Sequence, residues 1–186
     1  MELAKDGYAI PIFFASGGKM KAKSRVLTQG AIIAALYAVL THAQNLLIPG
    51  SATWAIQMRM SECMCVLALF TPSAIWGLGV GCFLFNILYA GALPLDWLVG
   101  PGATMLAAGA MYLTRKMTVR GLPLIALLMP AFFNAVLVGW ELSVYIGGAF
   151  WVNSLYVAAG EIIVLFILGT ALFYGLRKPQ LRRIFR

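Results

Sequence analysis

The sequence predicts an all-α integral membrane protein with six transmembrane helices. Hydrophobic residues make up 62% of the chain, charged residues 11%, and the mean hydropathy is +0.89. These values lie outside the range of soluble globular domains. A helical span needs roughly 20 apolar residues, so the chain has room for about six spans and no separate soluble domain.

Proline and glycine breaks divide the apolar sequence into six segments. The first segment ends at Pro49-Gly50-Ser51, the second ends at Thr71-Pro72, and Gly147-Gly148 separates the last two. Gly100-Pro101-Gly102 interrupts the fourth segment and predicts irregular backbone beside protein or a wet cavity. The predicted helices cover residues 26–48, 58–70, 74–89, 95–113, 122–145 and 151–176, with an outer loop at 45–57.

Lysine and arginine residues are concentrated in three places along the chain. Because short cytoplasmic loops retain positive charge, both termini are predicted to be cytoplasmic, as an even number of spans requires. The net charge of +8 thus reflects membrane topology, and the basic residues form no aromatic-interleaved face for nucleic acid. The three groups are Lys19, Lys21, Lys23 and Arg25; Arg115, Lys116 and Arg120; and Arg177, Lys178, Arg182, Arg183 and Arg186.

We expect three regions: an N-terminal extension at 1–24, a six-helix membrane domain at 25–178 and a basic cytoplasmic tail at 179–186. The apolar part of the extension is too short to span a bilayer, and no Ala-x-Ala site follows it. Met20 is an alternative natural start. Three cysteines and a single histidine indicate neither a disulfide framework nor a metal site, and no cofactor is expected.

Seven polar side chains lie inside or at the edge of the predicted spans, all in the outer half. Each charge at the centre of a bilayer costs about 2.5–3.5 kcal/mol on insertion scales. Convergence on one cavity open to the outside gives each group a partner or water, so the sequence predicts a substrate-binding pocket. The residues are Arg59, Glu62, Asn86, Asp96, Asn134, Glu141 and Glu161.

Several of these residues also have a purely structural interpretation. Arg59 and Glu62 are three residues apart on a predicted helix and can pair with each other. Asp96 can cap a helix, and Asn134 can hydrogen-bond to a neighbouring helix. Glu141 and Glu161 are deep and have no basic neighbour in sequence, so a ligand explains them better than packing does.

The first predicted helix carries small residues at three- and four-residue spacing. Such a surface allows close helix approach, either within the fold or onto a separate membrane subunit. The relevant residues are Ala31, Ala34, Ala35 and Ala38.

Five stretches of the sequence together resemble one family. They are residues 56–62, 69–75, 81–86, 133–135 with Glu141, and 160–161. In these stretches the chain resembles the queuosine-precursor transporter family, whose members are substrate-binding (S) components of energy-coupling factor (ECF) transporters. The likeness covers residues 24–178.

The resemblance implies a six-helix S component in the bacterial cytoplasmic membrane. Such a protein binds a queuosine precursor outside the cell and associates with a transmembrane coupling subunit and two ATPases. The chain lacks a Gly-x-x-x-x-Gly-Lys-Ser/Thr loop, so ATP hydrolysis is assigned to the partners. The family's Ala-x-x-x-Ala contact with the coupling subunit fits either Ala31/Ala35 or Ala34/Ala38.

The implied substrate is a 7-deazaguanine such as queuine or its aminomethyl precursor preQ1. A guanine-like edge offers adjacent N–H donors to a carboxylate and a carbonyl to Asn or Arg. We expect Glu141 or Glu161 to bind the base and Asn86, Asn134 and Arg59 to donate hydrogen bonds. A second carboxylate could hold a substrate ammonium group.

Two alternatives are an S component for another vitamin or nucleobase, and an intramembrane enzyme that uses Glu141 and Glu161. The enzyme interpretation lacks a His-Glu-x-x-His motif, and the expectation is that the chain is not an enzyme.

Overall fold

The computed structural model describes residues 22–51 and 58–178, and this part of the chain is helical. The only β-type pairing within it is an isolated bridge between Val119 and Leu122. The all-α prediction is therefore confirmed. The predictions for residues 1–21, for residues 52–57 of the outer loop and for the tail at 179–186 lie outside the described residues. The predicted start of the outer loop at 45 is wrong, because α1 continues to Leu47.

All six predicted segments are helical. Within residues 22–51 and 58–178, three helices are long and apolar enough to cross a membrane, namely Ser24–Leu47, Leu124–Tyr145 and Phe150–Leu176. Two further apolar helices are shorter, so the count of six spans and the orientation of the termini stay predictions. The elements are α1 (Ala22–Leu47), a 3₁₀ helix (Met60–Leu69), α2 (Ser73–Leu88), α3 (Asp96–Thr114), α4 (Leu124–Tyr145), α5 (Phe150–Val164), a π segment (Leu165–Gly169) and α6 (Thr170–Leu176).

The 3₁₀ helix occupies the centre of the fold and packs against each of the other helical elements. Its ten residues exceed the usual three or four of a 3₁₀ run. At about 2.0 Å rise per residue they cover roughly 20 Å, which an α-helix of the same length would not reach. This conformation explains how the shortest predicted segment extends deep into the bundle.

The predicted break at Gly100-Pro101-Gly102 is wrong, because α3 continues through these residues as an α-helix. Proline removes one backbone donor, but the remaining hydrogen bonds of the helix persist on either side. Gly100 and Pro101 are both buried, and α3 packs between α2 and α4. Tertiary packing therefore holds the helix where local propensity opposes it.

Helices α1 and α2 approach closely through small residues. A Cβ atom on Gly77 would lie 2.7 Å from the Gly30 carbonyl oxygen, and one on Gly81 would lie 2.7 Å from the Ala34 carbonyl oxygen. Ala34 and Ala38 are buried on this side of α1, whereas Ala31 and Ala35 are exposed. Of the two predicted alanine registers, Ala34/Ala38 thus packs within the fold and Ala31/Ala35 faces outward.

Candidate functional site

Glu62 lies in the first turn of the 3₁₀ helix and is fully buried. Its Oε1 accepts hydrogen bonds from the hydroxyl groups of Tyr37 on α1 and Thr104 on α3, the latter at 3.2 Å. Its Oε2 accepts one from the Cys65 thiol at 3.1 Å. Both oxygens of Glu62 are therefore engaged by the protein, which fixes the carboxyl group as a junction of three helices.

The backbone just before the 3₁₀ helix is held by the Gln44 side chain on α1. Gln44 Nε2 donates to the Met58 carbonyl at 2.6 Å and to the Ser51 hydroxyl at 3.0 Å. Its Oε1 accepts from the Met60 amide at 2.7 Å. These bonds bracket Arg59, so they set the position of its side chain.

Arg59 is 97% buried, with only 3% of its surface exposed, and its Nη1 donates to the Cys82 thiol at 3.6 Å. Asn86, one turn further along α2, donates from Nδ2 to the Asp96 carbonyl. The space that these groups share exists because residue 100 has no side chain. A Cβ on Gly100 would lie 2.8 Å from Asn86 Nδ2 and 3.7 Å from Arg59 Nη1.

Asp96 is the first residue of α3, and its Oδ2 accepts a hydrogen bond from the Leu93 amide at 2.8 Å. The predicted N-cap role of Asp96 is therefore wrong, because Leu95 occupies the N-cap position and the Asp96 side chain bonds to the preceding turn instead of to the first amides of α3. Asp96 also interacts electrostatically with Arg59 and with Glu141 on α4. It thus lies between the α2–α3 groups and those of α4.

Glu141 and Glu161 differ from Glu62 in their hydrogen bonding. Both are 1% exposed. Among the described residues, no N–H or hydroxyl group donates to either oxygen of Glu141 or to Glu161 Oε2, and the hydrogen-bonding neighbour of Glu141 is the Asp96 carboxyl group. Glu161 Oε1 accepts from Asn134 Nδ2 at 3.0 Å, so the predicted interhelical role of Asn134 also occurs. Three buried acceptor atoms are thus left for a bound molecule or water.

The structure brings the seven predicted residues into one connected cluster. Arg59 interacts electrostatically with Glu62 and Asp96, Asp96 with Glu141, and Glu62 with Glu161. The cluster combines one guanidinium group, two amides and four carboxyl groups from four helices and the 3₁₀ segment. This inventory can accept several hydrogen bonds from a polar ligand and donate a few to it.

Two cavities that the described residues line are not within this cluster. The first, about 390 Å³, lies between the end of α1 and the junction of α5 with the π segment and is mainly apolar, with Met60, Ile163 and Ile167 in its wall. The second, about 320 Å³, lies at the opposite end of the bundle. None of the seven predicted residues lines either cavity.

Sequence reasoning missed several residues that organise the cluster, above all Tyr37, Gln44, Cys65 and Thr104. One signal was present on α1, where Tyr37, Thr41 and Gln44 follow each other at four- and three-residue spacing on one face. Thr41 donates to the Ser61 hydroxyl at 2.7 Å, so all three side chains contact the region around the start of the 3₁₀ helix. A polar stripe on an otherwise apolar helix indicates such a contact.

Comparison with known families and proteins gives one match. A profile of the QueT transporter family matches residues 27–178. No curated protein and no solved structure matches the chain.

Proposed function

We propose that this chain, which belongs to the QueT transporter family, is the substrate-binding component of an ECF importer for a queuosine precursor. Family membership makes it a transporter and not an enzyme. The proposed substrate is a 7-deazaguanine, either queuine or preQ1, taken up across the bacterial cytoplasmic membrane. The proposal includes six spans with both termini cytoplasmic, a topology in which the polar cluster lies nearer the outer surface.

The hydrogen bonding of the Glu141 side chain is the main structural support for the proposed substrate. It is the one predicted site carboxyl group for which both oxygens are buried and receive no hydrogen bond from an N–H or hydroxyl group of the described residues, with the Asp96 carboxyl group beside it. A carboxylate with two open oxygens matches two parallel N–H donors, which the N1 and 2-amino groups of a guanine-like base provide. Glu141 is therefore assigned to the base edge.

Glu161 has a different assignment because Asn134 already occupies its Oε1. Its single open oxygen suits one further donor, such as the protonated amine on the 7-substituent of preQ1 or queuine. Asn134 then acts as a positioning residue for Glu161. Arg59 and Asn86 remain donors for the base carbonyl, and Glu62 stabilises the 3₁₀ helix that carries Arg59.

The surface that contacts the coupling subunit is assigned to the exposed pair Ala31 and Ala35. Ala31 and Ala35 lie on the outer side of α1, while Ala34 and Ala38 are buried and Ala34 packs against Gly81 of α2. A transmembrane coupling subunit can approach closely along such a small-residue surface. Two ATPase subunits would supply the energy for release inside the cell.

The direct test is calorimetric titration of the detergent-purified chain. We expect stoichiometric binding of preQ1 or queuine, with the ligand recovered unchanged by mass spectrometry. The matched pair for the base edge is 7-deazaguanine and 7-deazahypoxanthine, which both lack the 7-substituent and differ only in the 2-amino donor. Losing one hydrogen bond to a charged group should weaken binding of 7-deazahypoxanthine by about tenfold or more.

Two results would contradict this proposal. Binding of thiamine or another vitamin, with no heat from the 7-deazaguanines, would assign the protein to a different substrate. Equal affinity for the base with and without the 2-amino group would remove Glu141 from the base edge.

A further inference from the structure

The second cavity, at the end of the bundle opposite the polar cluster, contains a pair of arginine residues. It lies where the 3₁₀ helix ends, α3 turns into α4, and α6 ends, and its volume is about 320 Å³. Its wall combines the Arg115 and Arg177 side chains with apolar groups such as Phe70, Pro123 and Phe173. The cavity is thus basic on one side and apolar on the other.

Both guanidinium groups are held in place by uncharged groups. Arg115 Nη1 donates to the Tyr112 carbonyl at 2.6 Å, and its Cζ lies 3.5 Å from the centre of the Tyr112 ring. Arg177 Nη1 donates to the Gly121 carbonyl at 3.3 Å, and its Cζ lies 5.4 Å from the Phe173 ring centre. A guanidinium carries five N–H donors, and among the described residues each arginine donates from one nitrogen, so most donors are left for another acceptor.

No carboxyl group in the described part of the chain compensates these two charges. Its four acidic residues all belong to the polar cluster at the other end of the helices. The backbone that faces Arg177 is a tight reversal closed by the Val119–Leu122 bridge, with positive φ at Arg120 (52°) and Gly121 (83°). The Gly121 carbonyl is therefore presented by a defined turn.

We infer that this cavity binds the phosphate headgroup of an anionic phospholipid. Two arginines with open donors match a phosphate group, which accepts hydrogen bonds on several oxygens. The apolar side of the same cavity suits the glycerol and first methylene groups of a lipid, which free phosphate does not possess. Basic recesses between membrane helices commonly take such headgroups.

Native mass spectrometry of the full chain in detergent tests this assignment with phosphatidylglycerol as the probe and phosphatidylcholine of the same acyl chains as the reference. We expect preferential retention of phosphatidylglycerol, and no competition from millimolar inorganic phosphate or glycerol phosphate. The double variant Arg115→Gln/Arg177→Gln should lose this retention by about tenfold or more, as expected for at least one lost charge-assisted hydrogen bond.

The matched control is Lys116→Gln/Lys178→Gln, which removes the same charge from the neighbouring positions, outside the cavity wall. It should change retention by less than about threefold, since a bond in the cavity contributes more than diffuse attraction. Equal losses in both double variants would overturn the site, as would equal retention of the two lipids. Competition by free phosphate would replace the lipid with a soluble phosphate compound. Should the arginine double variant not fold, the exposed Arg177→Gln change alone gives the same comparison with Lys178→Gln.

Discussion

Replacing Glu141 with glutamine should weaken substrate binding without weakening the ligand-free fold. The glutamine side chain has the same shape but offers one acceptor and one donor in place of two acceptors. Because no N–H or hydroxyl group of the described residues donates to Glu141, the substitution breaks no such bond, and the glutamine amide can donate to the neighbouring Asp96 carboxyl group.

The size of the binding defect follows from the proposed bidentate contact. One of the two bonds to the base disappears, and an N–H group then faces the donor on the ligand. A hydrogen bond to a charged group contributes about 1.5–3 kcal/mol, so Kd should rise roughly 10- to 150-fold. Ligand-free stability should be unchanged or higher, because a buried unpaired carboxylate costs more than a buried amide.

The same substitution at Glu62 should have the opposite effect on stability, because the two carboxyl groups differ in their hydrogen bonds. Glu62 accepts three hydrogen bonds from Tyr37, Thr104 and Cys65, so its substitution should lower stability by about 1–3 kcal/mol. Calorimetry of preQ1 binding and thermal unfolding in the same detergent measure both quantities. A lower melting temperature for Glu141→Gln than for the unmodified protein, or an equal affinity of the two for preQ1, would contradict the proposed role of Glu141.

Three further changes probe other parts of the account. Gly100→Ala should reduce preQ1 affinity because its Cβ would lie 2.8 Å from the Asn86 amide nitrogen. The control Gly109→Ala on the same helix meets nothing within 4 Å and should be neutral or stabilising. Equal calorimetric affinities of the two variants for preQ1 would contradict the predicted effect at Gly100. Asn134→Ala removes the 3.0 Å hydrogen bond that orients Glu161 and should raise the Kd for preQ1 several-fold, roughly the effect of one hydrogen bond. An unaltered Kd would contradict this role of Asn134. Ala35→Trp introduces a large side chain on the exposed side of α1 and should abolish cellular uptake without changing the calorimetric affinity for preQ1. Normal uptake would show that the coupling subunit binds a different surface.

Hydropathy and helix-breaking residues were sufficient to predict where the helices lie. The segments predicted at 74–89 and 122–145 correspond to helices Ser73–Leu88 and Leu124–Tyr145, because the length of apolar runs and the position of proline and glycine are explicit in a sequence. The type of helix was not predictable. The 3₁₀ geometry of Met60–Leu69 and the continuity of α3 through Pro101 are set by packing against neighbouring helices.

The members of the buried polar cluster were predictable from the sequence, but the hydrogen-bond partners of each member were not, and their binding of substrate stays a prediction. Depth alone selected Glu62, Glu141 and Glu161, since each is an acidic residue in an apolar segment. Which of them already has hydrogen-bond partners depends on side chains far away in sequence, such as Tyr37, 25 residues before Glu62. The sequence contains no short-range signal for such a contact, so the distinction between a structural and an open carboxyl group needs three-dimensional structure.

The most direct measurement is an experimental structure of the chain with preQ1 bound. We expect the N1 and 2-amino nitrogens of the base to lie within about 3.2 Å of the two Glu141 oxygens, with Glu161 contacting the amine of the 7-substituent. A base located in the apolar cavity beside Ile163 and Ile167, without contact to Glu141, would show that Glu141 does not bind the base edge.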